Sequence, residues 1–134
     1  MPFELPAHLR PKKKLRILCA DDNSLLGQVL VKFFATAGHE VEHVSDGLAA
    51  WRRISNDTQH FDVLVTDHQM PGLDGLELVR LLGQSAFCGR IIVHSASVSP
   101  ENADQYRSLG VGHIIFKTTT GQELLEVVEA FHEA

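Results

Sequence analysis

Cysteine is scarce in this 134-residue chain: only Cys19 and Cys88 occur, and neither falls in a CxxC or Cys/His metal spacing. A disulfide-stapled secreted scaffold is thereby excluded as the default, and Cys19, set inside an apolar run, reads as a small buried hydrophobe. No apolar run exceeds five residues, whereas a bilayer span needs roughly 20, and the N-terminus lacks the apolar core of a signal peptide. A cytoplasmic location without membrane insertion is the expectation. No GxGxxG or GxxxxGK[ST] loop follows the first strand-like run, which removes the common phosphate-cradling nucleotide folds. Internal repeats and low-complexity segments are absent as well.

A net basic charge is missing from the body of the chain. The formal net charge is −5, but residues 1–16 carry Arg10, Lys12, Lys13, Lys14 and Arg16 against Glu4, which leaves −9 for the remainder. A nucleic-acid-binding domain would show a basic face on its folded part, so direct nucleic-acid contact is not expected. Residues 1–13 read as a flexible basic leader, solvated or touching an acidic partner. Residues 14–134 read as one globular domain; at 44% hydrophobic and 22% charged, the chain supplies a core without staples.

Within that domain two periodicities alternate. Residues 15–20, 63–65, 91–93 and 114–116 are nearly continuous apolar runs, and residues 41–44 form a weaker, alternating one; all five read as strands. Continuous apolar character is expected of parallel strands covered on both faces. Between them, Leu25, Leu26, Val29, Leu30, Phe33, Phe34 and Ala37 form a helical stripe closed by Gly38. A second helix is predicted over about 47–55 behind Asp46, and a third over about 76–84 behind Asp74. A fourth starts at Ser99-Pro100, and a fifth at Thr120 with capping-box spacing to Glu123, its apolar stripe Leu124, Leu125, Val128 and Phe131. Five βα units predict an α/β, doubly wound, flavodoxin-like (βα)5 fold with five parallel strands in the order 2-1-3-4-5.

In such sheets function gathers at the C-terminal strand ends, beside the point where strand order reverses. That rule selects Asp21, Asp22 and Asn23 after strand one, Asp67, His68 and Gln69 after strand three, Ser95 and Ala96 after strand four, and Lys117 after strand five. An Asp after a strand is often only a helix cap, and a lone Lys there is often solvated. Their joint arrival at neighbouring strand ends favours a site. Three carboxylates on one rim repel one another unless a cation is recruited, and all-oxygen ligands suit Mg²⁺ better than zinc. With Mg²⁺ on a phosphoryl group, a carboxylate can act as nucleophile and form an aspartyl-phosphate, with Lys117 and the Ser95 hydroxyl as further phosphate contacts.

The motifs Leu15-Arg16-Ile17-Leu18-Cys19-Ala20-Asp21-Asp22-Asn23 and Val63-Leu64-Val65-Thr66-Asp67-His68-Gln69-Met70-Pro71-Gly72-Leu73-Asp74-Gly75, completed by Ser95-Ala96 and Phe116-Lys117, resemble the receiver domain of two-component response regulators over about residues 15–132. The resemblance implies that Asp67 accepts a phosphoryl group from a histidine kinase or a His-phosphotransfer protein. It implies that Asp22, Asp67 and the Gln69 backbone carbonyl bind Mg²⁺, with Asp21 helping directly or through water. Ser95 would be the switch hydroxyl and Lys117 the fixed counter-charge. The expected protein is a switch and not an enzyme, apart from its own Mg²⁺-dependent phosphorylation and slow autodephosphorylation.

Two departures stand out. Thr118 follows Lys117 where the family usually has proline after a cis bond; since a non-proline cis bond costs about 3 kcal/mol, a trans bond and a reshaped loop are predicted. Ile114, three residues before that lysine, replaces a common aromatic that swings inward with the switch hydroxyl. A degenerate receiver acting as a phosphate-independent interaction module is the alternative these departures raise. An aspartate-nucleophile phosphatase of the haloacid dehalogenase type is disfavoured, because Gln69 stands where that chemistry needs a second Asp. His68 is expected at the site mouth, either acting on phosphate lifetime or as an exposed rim residue; His94 and His113 read as structural and Trp51 as packing. The downstream protein target is expected on the face of helix four, strand five and helix five, including Tyr106 and Arg107. Met1 and a tail ending just past helix five point to a stand-alone receiver.

Overall fold

Aliphatic runs and 3.6-periodic segments alternate along the chain, and each forms the element its pattern requires. The computed structural model describes residue 6 and residues 13–130, in the order β1 (Arg16–Ala20), α1 (Ser24–Thr36), β2 (Glu40–Val44), α2 (Gly47–Asn56), β3 (Val63–Thr66), α3 (Gly75–Gly83), β4 (Arg90–Ser95), α4 (Pro100–Ser108), β5 (His113–Phe116) and α5 (Gly121–Ala130). The basic leader through Lys12 and the end of the fifth helical stripe at Phe131 lie outside the described residues. Each helix start falls where a side chain caps the backbone. Asn23, Asp46, Asp74 and Ser99 each accept a first-turn N–H, and Asp74 completes a reciprocal capping box with Glu77. Thr120 Oγ1 accepts the Glu123 N–H at the head of α5, and Gly38, at φ +98°, turns the chain out of α1.

The strands are all parallel in the order β2-β1-β3-β4-β5, so the direction of winding reverses beside β1 and β3. Alternation along each strand sends side chains to the two faces of the sheet, where they pack in three clusters. Ile17, Cys19, Val63, Val65 and Ile92 pack on Leu30 and Phe34 of α1 and on Leu124, Leu125 and Val128 of α5. Leu18, Ala20 and Leu64 pack on Ala50 and Ile54 of α2 and Leu78 and Leu82 of α3. Val93 meets Leu76 and Val79 of α3 and Tyr106 of α4. Burial also pushes the Cys19 thiol up to about 12, aided by the charge of Asp21, in keeping with a packing role.

One expectation is corrected by this layering. The run at 114–116 is apolar enough for a strand covered on both faces, yet β5 is the sheet edge and is only half covered, with Phe116 47% exposed.

Candidate functional site

Strand register builds the site. Ala20 pairs with Thr66 across β1 and β3, so the next residue on each strand, Asp21 and Asp67, emerge side by side. The Asp67 N–H donates to Ala20 O at 2.8 Å, and the Asp21 N–H donates to Val44 O at 3.0 Å, which pins both peptides to the sheet. Asp21 and Asp67 are 3% and 5% exposed, while Asp22 faces solvent. Carboxylate oxygens of Asp21, Asp22 and Asp67 lie within 4.8 Å of one another, the one such acidic or metal-ligating group among the described residues.

The neighbouring strand ends bring the counter-charge. Ser95 pairs with Phe116, and the Lys117 N–H donates to Ser95 O at 2.9 Å, which sets the lysine at the rim. Its Nζ is 3.0 Å from Asp67 Oδ2 and 3.0 Å from Asp21 Oδ2. Burial alone would lower the pKa of Lys117, but its hydrogen bonds to Asp67 and Asp21 outweigh that and raise it. The Lys117–Thr118 peptide is trans, as expected, since none of the described residues has a cis bond. Its reach to the carboxylates is undiminished.

Asp67 Oδ1 accepts the His68 N–H at 2.7 Å, and Asp21 Oδ1 accepts the Asn23 N–H at 2.8 Å. The arrangement still sets one ammonium against three carboxylates. All-oxygen donors with surplus negative charge, two of them shielded from water, fit a hard divalent cation such as Mg²⁺. Gln69 lies exposed on the same loop as Asp67. Ser95 is buried, and its hydroxyl donates to Ser97 O at 3.3 Å.

Two expectations about neighbouring residues are overturned. His68 is neither at the site mouth nor an exposed rim residue: it is 7% exposed and points into the fold. Its Nδ1 is 2.6 Å from Tyr106 Oη and its Nε2 is 3.0 Å from Asn102 Nδ2, both on α4. Tyr106, expected on the partner surface, is fully buried, so only Arg107 of that pair faces solvent. Burial, then the charges of Asp74 and Asp67, push the Tyr106 hydroxyl's pKa far upward, so it stays protonated. Ile114 is half-buried against the same cluster as Tyr106.

Two residues, Asn102 and His43, escaped the sequence reading, and a third, His94, read there only as structural. Asn102 carries no motif signal at all. His43, on β2, donates from Nε2 to Asp21 O at 2.9 Å, and its ring fills the space that a Cβ on Gly27 would take. His94 is buried close enough to the charges to feel them. Desolvation lowers its pKa, the Lys117 charge adds to that, and Asp21 and Asp67 pull the other way.

Comparison with known proteins points the same way. The family profile described as the response regulator receiver domain matches residues 17–129. The "Gliding motility regulatory protein" of Myxococcus xanthus is 34% identical over 84% of this chain and 14% of its own length. "Sensor protein EvgS" of Escherichia coli (strain K12) is 31% identical over 98% of this chain and 10% of its own. The chain thus spans about a tenth to a seventh of the length of these two relatives. Among solved structures, the CheY-like receiver domain protein from Methanospirillum hungatei JF-1 shares the fold at a TM-score of 0.84 and 22% identity, covering 90% of this chain and 95% of that one. The Francisella response regulator 1452 receiver domain superposes with a TM-score of 0.79 at 28% identity, covering 90% and 98%.

Proposed function

Because this chain belongs to the response regulator receiver family, we propose that it is a phosphorylation switch in which Asp67 accepts a phosphoryl group and a protein-binding face changes in response. One observation carries the reading: Asp67 sits beside Asp21 and Asp22 with Lys117 on its Oδ2, four charged groups delivered by three different strand ends. Receiver domains take phosphoryl groups from histidine kinases or phosphotransfer proteins, and that donor class is assigned here.

A carboxylate is already a competent nucleophile and needs no general base. A carboxylate oxygen of Asp67 forms its bond to phosphorus as the donor's nitrogen–phosphorus bond breaks, and the electron pair stays on the donor imidazole. Lys117 offsets the charge brought in by the phosphoryl oxygens. The Ser95 hydroxyl, held on Ser97 O at rest, turns to donate to a phosphoryl oxygen. Asp21, Asp22, Asp67 and the Gln69 carbonyl would hold Mg²⁺, which when bound supplies further neutralisation of the transferring group.

Residues 14–134 form the receiver unit in this reading. The protein acts as a switch and not as an enzyme, in the cytoplasm where ATP-derived phosphoryl groups are made. Its output face is α4, β5 and α5, where Arg107, Leu109 and Phe116 are exposed. The retained carboxylates, Ser95 and Lys117 favour this over a phosphate-independent module. Intact-mass measurement after incubation with Mg²⁺ and a small acyl phosphate tests it. One added phosphoryl group, absent in Asp67→Asn and in EDTA, is the expected result; a gain that survives Asp67→Asn contradicts the assignment.

A further inference from the structure

Tyr106 is the one fully buried residue of α4, a helix whose other described side chains are exposed or half-exposed. The helix therefore hangs on a single anchor, and that anchor touches the phosphoacceptor loop. Asn102 and Tyr106 are four residues apart on α4 and share a face. Both reach the same imidazole, at 3.0 and 2.6 Å. The Asn102 amide nitrogen can only donate, so His68 Nε2 accepts and the ring proton sits on Nδ1, which donates to Tyr106 Oη. The His68 and Tyr106 rings also meet edge to face, with centroids 5.5 Å apart at 75°.

At its other end His68 is tied to the acceptor. Its N–H donates to Asp67 Oδ1 at 2.7 Å and its carbonyl accepts the Gly75 N–H at 2.8 Å. Gly75 lies so close that a Cβ there would run into Asp67 O and the Tyr106 hydroxyl. The route from Asp67 through His68 to Tyr106 thus has a hydrogen bond at every joint and is buried, while the Asn102 branch is part-buried.

We propose that His68, Tyr106 and Asn102 are positioning residues that couple the state of Asp67 to the position of α4, in place of the aromatic switch that Ile114 cannot provide. This rests on the reading of Asp67 as the phosphoacceptor. Phosphorylation of the carboxylate, which makes it a mixed anhydride, changes what the His68 N–H can bond, so the His68 peptide shifts. Its imidazole is held by two α4 side chains, and the least anchored helix of the sheet follows.

Amide NMR of the full chain with Mg²⁺ and beryllofluoride, a phosphoryl mimic, tests the link in wild type, Tyr106→Phe and Asn102→Ala. Tyr106→Phe keeps the buried ring and removes only the hydroxyl; Asn102→Ala changes a half-exposed position and serves if the first variant does not fold. In wild type, amides around residues 67 and 117 and those of α4 all shift. In the variants the site amides still respond, with an affinity within about tenfold of wild type, while the α4 shifts fall below about half. Full α4 shifts in a folded variant overturn the link, as does a wild type whose site amides respond while α4 stays silent. A wild type in which no amide responds overturns the phosphoacceptor reading itself, and the link with it.

Discussion

Asp21 and Asp67 lie nearly closed to water beside each other, and what offsets their repulsion is local and countable. Lys117 bridges both at 3.0 Å, and one backbone N–H closes on each. The same crowding sets a pH response through His94. Its pKa falls below the free value of 6.5 because burial disfavours the charged ring. The unfolded chain then takes up a proton from that value downward while the folded chain does not. The group's contribution is complete above pH 6.5 and is lost as pH falls toward the lowered value. Urea midpoints compared at about pH 7.5 and about pH 5.5 should drop more in wild type than in His94→Leu. An equal drop in both would remove His94 from the account. The residues that carry charge were legible in the sequence, because the strand-end rule needs only the apolar runs that precede Asp21, Asp67, Ser95 and Lys117. The direction of His68 was not legible. It depends on Tyr106, a residue 38 positions away, and nothing local to the loop encodes that.

The elements were legible for a similar reason: Asp46, Asp74, Ser99 and Thr120 announce helix starts by chemistry that acts within a single turn. Coverage was less so: the strand order read from the sequence already put β5 at the edge, but its apolar composition read as covered on both faces, and what packs on a strand is decided by distant residues. Close approaches between elements were invisible for the same reason. Gly75 permits α3 to begin against Asp67 O and the Tyr106 hydroxyl, and Gly47 permits α2 to begin against Leu73 O. In the sequence Gly47 reads as an ordinary first helical residue, and Gly75 falls just before the predicted start of helix three. Gly75→Ala should cost about 1–3 kcal/mol, as overpacking does, since the contact on one side is backbone and cannot turn away. Denaturant unfolding measures it, and a loss under about 0.5 kcal/mol would mean that α3 and α4 separate easily at that joint.

At the scale of the molecule, the parallel sheet brings Asp21, Asp22, Asp67, Ser95 and Lys117 to one rim, the groups to which the proposal gives four roles: metal-binding carboxylates, acceptor, counter-charge and switch hydroxyl. Each comes from a strand end that is unremarkable alone. The two relatives named above are far longer, so a segment similar to this chain sits inside larger proteins. Arg107, Leu109 and Phe116 are exposed beside the half-covered β5 edge, on the face proposed above for a protein partner. All of this depends on where the phosphoryl group goes. Borohydride reduces an acyl phosphate to an alcohol, converting a phosphorylated aspartate to homoserine. Peptide mapping after phosphorylation in Mg²⁺ and borohydride treatment should therefore find homoserine at position 67. Homoserine at position 21 or 22, or a phosphorylated protein with no homoserine at all, would contradict the account.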